Sequence, residues 1–285
     1  MSRRISFISL LCLVLGSVNA RADTYATCVG QLDFTTAGSS CGTAGDELLL
    51  FNVDIQPTGT GNIDSFVRIN PGGSTDAEQG YNTDGRPLEF DENASGQYTR
   101  SLLLSDVGIL NFNGTDYYEF GLDINQEKNS SLLDLNQVQF FLTSSPSLLG
   151  STDTASSSGQ HSLSFPNATE QYVFNDPALP DNTVTLNYAL NPGSGAGDLF
   201  LYIRTDLFNT ASYGNYVVLF SQFGLPPGSN AANDGFEEWW IRGISQPCTV
   251  NCSSVNESPV PEPATLLLLG TGLALIARGV RRKRR

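Results

Sequence analysis

The sequence predicts an all-β body, an antiparallel β-sandwich of jelly-roll type, set between an N-terminal signal peptide and a C-terminal transmembrane helix. Three observations predict it. Short apolar runs recur along the middle of the chain, several of them alternating polar and apolar residues with the period of a half-buried strand. Turn chemistry separates these runs, and no stretch shows the 3.6-residue apolar spacing of an amphipathic helix. The two ends differ from the middle in both charge and hydropathy.

At the N-terminus, Arg3 and Arg4 precede an apolar run from Ile5 to Leu15, interrupted only by Ser6 and Ser9. Ser17, Ala20 and Ala22 follow, in the small-x-small form that a signal peptidase reads. The run is too short to span a bilayer comfortably, so residues 1–22 read as a cleaved signal peptide. Cleavage is expected after Ala22, with Ala20 as the alternative.

The body, residues 23–248, is long enough to bury one large core. Strands are expected at residues 47–55, 63–69, 97–104, 107–112, 117–124, 137–143, 171–174, 183–190, 199–204, 216–223 and 236–241. The alternation is clearest in Gln137-Val138-Gln139-Phe140 and Thr183-Val184-Thr185-Leu186. Turns are marked by Pro71-Gly72-Gly73, Asn113-Gly114, Asn191-Pro192-Gly193 and Pro226-Pro227-Gly228. Residues 144–164 are rich in Ser, Thr and Gly and nearly uncharged, which predicts a long loop or an excursion from the sandwich. Residues 249–259 read as a linker.

All 29 acids lie between Asp23 and Glu262, with six bases among them: Arg68, Arg86, Arg100, Lys128, Arg204 and Arg242. Such a field repels nucleic acid and anionic surfaces, and it excludes nucleic acid as a partner. Cys12 leaves with the signal peptide. Cys28, Cys41, Cys248 and Cys252 remain, an even count that in an exported chain predicts two disulfides. Neighbour pairing, Cys28–Cys41 and Cys248–Cys252, is the favoured reading; a cross pairing that ties the two ends of the body is its rival. The spacing is not that of a zinc ribbon, and the chain has one His.

The last 26 residues carry the strongest signal. Val260-Pro261-Glu262-Pro263 leads into an apolar run from Ala264 to Ala277, and a basic end of Arg278, Arg281, Arg282, Lys283, Arg284 and Arg285 closes the chain. At about 1.5 Å per residue the apolar run reaches roughly 21 Å, short of a roughly 30 Å hydrocarbon core. Extension through residue 280 and snorkelling of the basic side chains make a transmembrane helix of about 264–280, with the basic tail 278–285 on the cytoplasmic side. The prolines fix φ and hold the motif extended ahead of the membrane.

This tail resembles the PEP-CTERM sorting domain of Gram-negative bacteria that make exopolysaccharide. The resemblance implies recognition by an exosortase, a membrane-embedded cysteine transpeptidase-like enzyme, with Pro261, Glu262 and Pro263 as the recognised residues. It also implies at least transient residence in the inner membrane, then release to the cell surface or an exopolysaccharide-containing matrix.

Within the body, catalytic signals are sparse. His161 lies in the Ser-rich stretch, and no Gly-x-Ser-x-Gly elbow or His-Glu-x-x-His pair is present. Asp123, Asn125 and Glu127, with Asp134 further on, set oxygens at alternate positions after a strand, a pattern that suits Ca²⁺. The same pattern suits an Asx-rich turn whose side chains bond their own backbone. Phe236, Trp239 and Trp240 offer either a sugar-stacking platform or core packing. The expected function is therefore that of an exported, non-enzymatic protein. The alternatives are a carbohydrate-binding module, a calcium-supported extracellular hydrolase, and a permanently anchored surface protein.

Overall fold

The computed structural model describes residues 25–52, 63–70, 77–155, 161–175, 182–193, 195, 197–225, 230–233 and 235–241. The signal peptide, Cys248, Cys252, the linker and the entire C-terminal tail lie outside these residues. Strand makes up 49% of the structure and helix 7%, which puts it in the all-β class. No helix among the described residues is long and apolar enough to cross a membrane.

Numbered in chain order, the strands fall mainly into two sheets. The first runs β1 (Ala26–Thr27), β3 (Ser40–Gly42), β4 (Leu48–Phe51), β15 (Leu199–Arg204), β9 (Thr115–Asp123), β17 (Glu237–Ile241) and β5 (Asp64–Ile69), with β8 (Ile109–Phe112) also paired to β9. The second runs β2 (Gln31–Phe34), β14 (Thr183–Asn187), β10 (Leu132–Thr143), β16 (Tyr216–Phe223) and β6 (Glu78–Tyr81). In that sheet β13 (Ala168–Phe174) lies along β10 and β7 (Leu102–Leu103) along β16. A separate hairpin joins β11 (Thr152–Ala155) and β12 (His161–Ser164).

Eight of these strands follow one nested rule. β5 pairs with β17, β6 with β16, β9 with β15 and β10 with β14, all antiparallel. Counted among the eight, the first meets the last, the second the seventh, the third the sixth and the fourth the fifth. The chain therefore behaves as one long hairpin bent over itself, its outermost pairs joining residues far apart in sequence.

The pairing is not wholly antiparallel, as the sequence led us to expect. β1 lies parallel to β3 and β2 parallel to β14. The N-terminal segment supplies β1 to one sheet and β2 to the other. Because β2 and β14 are separated by most of the chain, no tight turn constrains their relative direction. The Cys28–Cys41 disulfide ties the junction between β1 and β2 to β3.

Strand alternation builds a single core between the sheets. Leu50, Phe120, Leu201 and Trp239 of the first sheet meet Leu135, Phe140, Leu219 and Phe223 of the second, all fully buried. The Phe120 and Phe140 rings approach to 5.2 Å across the gap. Smaller aromatic clusters cover the outer faces: Phe51, Phe200, Tyr202 and Trp240 on the first sheet, Tyr81, Phe141, Phe165 and Phe220 on the second.

Two expectations change. Of residues 97–104 only Leu102–Leu103 form strand. The stretch 144–164 is an excursion rather than a plain loop: it contains both β11 and β12, and Leu148 and Leu163 bury themselves on the outer face of the second sheet.

Candidate functional site

β17 organises the polar chemistry of the body, because successive side chains of a strand point to opposite faces. Glu237, Trp239 and Ile241 turn inward, and Glu238 and Trp240 turn outward. Trp239 is fully buried between the sheets and donates its indole N–H to Ser221 Oγ at 2.9 Å. Trp240 lies flat over Gly121, where an added Cβ would meet the indole at 2.2 Å, and packs against Phe200 with ring centroids 5.7 Å apart. The two indoles therefore belong to different clusters and do not form one platform.

On the outer face, Glu238 is held by Arg68, whose Nε and Nη2 both lie 2.5 Å from Glu238 Oε1. The guanidinium stacks over Tyr98 at 3.4 Å and lies 4.7 Å from the centre of Phe236. A planar cation between rings and a carboxylate keeps its charge and satisfies its partner's.

On the inner face the solution is different. Glu237 from the first sheet and Glu78 from the second are both buried, within hydrogen-bonding reach of one another. Gln126 Nε2 donates to Glu237 Oε1 at 3.0 Å. Burial raises Glu78 to about 7, with the neighbouring Glu237 carboxyl counteracting the rise and Asp91 adding to it. Burial also pushes Glu237 well above the usual carboxylate range, and the neighbouring Glu78 charge pushes it further.

A second acidic pair lies where the 191–198 loop meets the end of β9. Asp198 accepts from Ile124 N–H at 2.9 Å and Asp123 from Gly195 N–H at 2.6 Å. Burial lifts Asp198 well above its ordinary range, and the charge of Asp123 adds to the effect.

The proposed calcium residues are distributed among such structural tasks. Asp134 accepts from Thr185 Oγ1 at 2.7 Å and from both the backbone N–H and Nδ2 of Asn230 at 3.0 Å. Asn125 packs beneath Gly235, close enough that a Cβ there would stand 2.6 Å from it. Glu127 is exposed, and its backbone N–H donates to Asn233 Oδ1 at 2.7 Å. Asp123, Glu127 and Asp134 do not gather into a group that could hold a metal ion. Beside them a cleft of about 460 Å³ is lined by Asn129, Ser130, Ser131, Leu132 and residues 230–233. His161 Nδ1 lies 2.6 Å from Asp153 Oδ2 on the β11–β12 hairpin, which fastens the hairpin across its two strands.

None of the charged body residues explains the tail, and the comparisons do. Residues 259–285 match the family model of the PEP-CTERM protein-sorting motif. The chain carries a PEP-CTERM sorting signal. The matched span contains Pro261, Glu262 and Pro263, the apolar run and every base of the Arg-rich end. A PEP-CTERM signal implies export, membrane-associated sorting and processing by an exosortase. No curated protein and no solved structure matches the chain.

Sequence reasoning missed Glu78, Gln126, Arg68 and Asp198. One signal was available: in Glu237-Glu238-Trp239-Trp240 a strand period places one Glu with one Trp on each face. Nothing local marks Glu78, whose partner lies 159 positions along the chain.

Proposed function

We propose that this is an exported, non-catalytic protein whose body is delivered to the cell surface or an exopolysaccharide matrix after an exosortase processes the tail at Pro261-Glu262-Pro263. The match of residues 259–285 to the sorting motif carries this reading. Its parts have distinct physical tasks. The apolar run halts transfer across the inner membrane, the bases hold its end on the cytoplasmic side, and the proline-stiffened motif stands clear for the enzyme.

We read the nested strand pairing of the body as a jelly roll, two interlocked Greek keys whose strands alternate between sheets. A non-catalytic body is supported by the way its shifted carboxylates are used. Glu78, Glu237 and Asp198 are sealed inside, where substrate has no access, rather than lining an open cleft.

Mass spectrometry of the exported protein tests the reading. The mature form should lack the residues that follow the processing point near the Pro-Glu-Pro motif. An exported form that still ends at Arg285 would remove the claim. Substituting Pro261→Ala and Glu262→Ala together should leave the unprocessed chain in the membrane fraction.

A further inference from the structure

The inner face of β17 sets a problem that hydrogen bonds among the described residues leave open. Both oxygens of Glu78, Oε2 of Glu237 and Oε1 of Gln126 are buried and receive no hydrogen bond there. A carboxylate can only accept, so two ionised groups facing each other have no proton to place between them. Two bare charges in a core would cost far more than the fold can offset.

Among the described residues the surroundings supply no counter-charge. Arg68 on neighbouring β5 is turned to the outer face by Glu238. On β16, the residue opposite Glu78 is Phe223. The segment after β6, which hydrogen-bonds to both β5 and β6, brings further acids: Asp91, which raises Glu78, and Glu92, whose oxygens accept the N–H groups of Tyr81 and Phe90. From the connection after β9 comes Gln126, whose side-chain amide donates to Glu237.

We propose that Glu237 is kept as a neutral carboxylic acid that donates its proton to Glu78, forming a pH-sensitive clasp between the two sheets. Gln126 fixes the direction of the clasp: its N–H₂ occupies Oε1 of Glu237 and leaves Oε2 to carry the proton toward Glu78. The inference does not depend on the fate of the tail.

The consequence has a definite sign. In the unfolded chain both groups lose their protons near 4.5, whereas the native fold retains them to about 7 for Glu78 and to well above the ordinary carboxylate range for Glu237. Across that window the native state binds more protons than the unfolded state, so stability falls as pH rises. Each retained proton makes the unfolding constant about tenfold larger per pH unit, or about 3–5 °C of melting temperature for a domain of this size.

The test uses the full-length protein in detergent. Melting temperature is followed from about pH 5 to about pH 8 for the wild type and for E78Q/E237Q, which keeps the shape and removes the titration. The wild-type profile should fall more steeply than that of the variant; parallel profiles would overturn the clasp. Infrared spectroscopy of the wild type gives a second way to overturn the clasp, even if the variant does not fold. A protonated-carboxyl C=O band should be present in the native protein at neutral pH and vanish on unfolding, and its absence would equally overturn the proposal. A wild-type melting temperature raised by calcium and lowered by EDTA, with neither effect in the variant, would replace the proton with a metal ion.

Discussion

Glu237 and Glu238 are neighbours in sequence and nearly equally buried, yet the two faces of β17 neutralise them by opposite means. Outside, a guanidinium fixed between Tyr98 and Phe236 meets Glu238 directly. Inside, Glu237 meets another acid and an amide. An Arg on the inner face would have to bury its whole head between two apolar sheets. On the outer face its side chain keeps some contact with solvent, which lowers the desolvation cost. A cation therefore serves the rim of the sandwich and a proton serves its interior. The first arrangement responds to loss of the partner, the second to pH.

The largest effect should come from breaking the outer arrangement. Arg68→Ala leaves Glu238 buried without its cation and removes the stacking on Tyr98, so it should cost about 3–5 kcal/mol, read from denaturant midpoints at neutral pH. A loss below about 1 kcal/mol would mean that the pair is effectively solvated and that the contrast between the faces is false.

Next comes the inner indole. Trp239→Phe removes ring volume from a fully packed site and leaves the buried Ser221 hydroxyl without its donor. Together these should cost about 2–4 kcal/mol. Pairing the change with Ser221→Ala separates the two contributions. If the hydrogen bond matters, the double variant should lose less than the sum of the single variants.

How much of this was legible beforehand depends on how far each partner lies along the chain. The longer strands β9, β10, β15 and β16 could be read locally, because burial on both faces fills them with apolar and aromatic residues. β2, β3 and β6 could not. Each has at most four residues, and β6 reads Glu78-Gln79-Gly80-Tyr81, which contains no aliphatic residue. The β11–β12 hairpin escaped for the opposite reason. Thr152–Ala155 is exposed throughout, so burial writes no period into it. The acidic turn after β9 was legible as oxygen-rich, but its partners, Gly195, Asp198 and Asn233, are supplied by distant loops. The sorting motif was legible because its prolines, apolar run and bases are consecutive in the sequence.

The smallest effect sharpens the comparison most. Trp240 is the outward neighbour of Trp239, with similar chemistry and 8% exposure, but its indole N–H is buried with no hydrogen-bond partner among the described residues. Trp240→Phe loses contact with Phe200 and part of the surface over Gly121, and it also removes an unsatisfied donor. These terms oppose one another, so stability should change by no more than about 1 kcal/mol, well below the effect at Trp239. The same substitution at adjacent positions thus isolates what a satisfied N–H contributes beyond ring burial. Equal losses at the two sites, measured in matched denaturant titrations, would show that ring volume alone sets the cost and that the polar asymmetry of the two faces has no energetic weight.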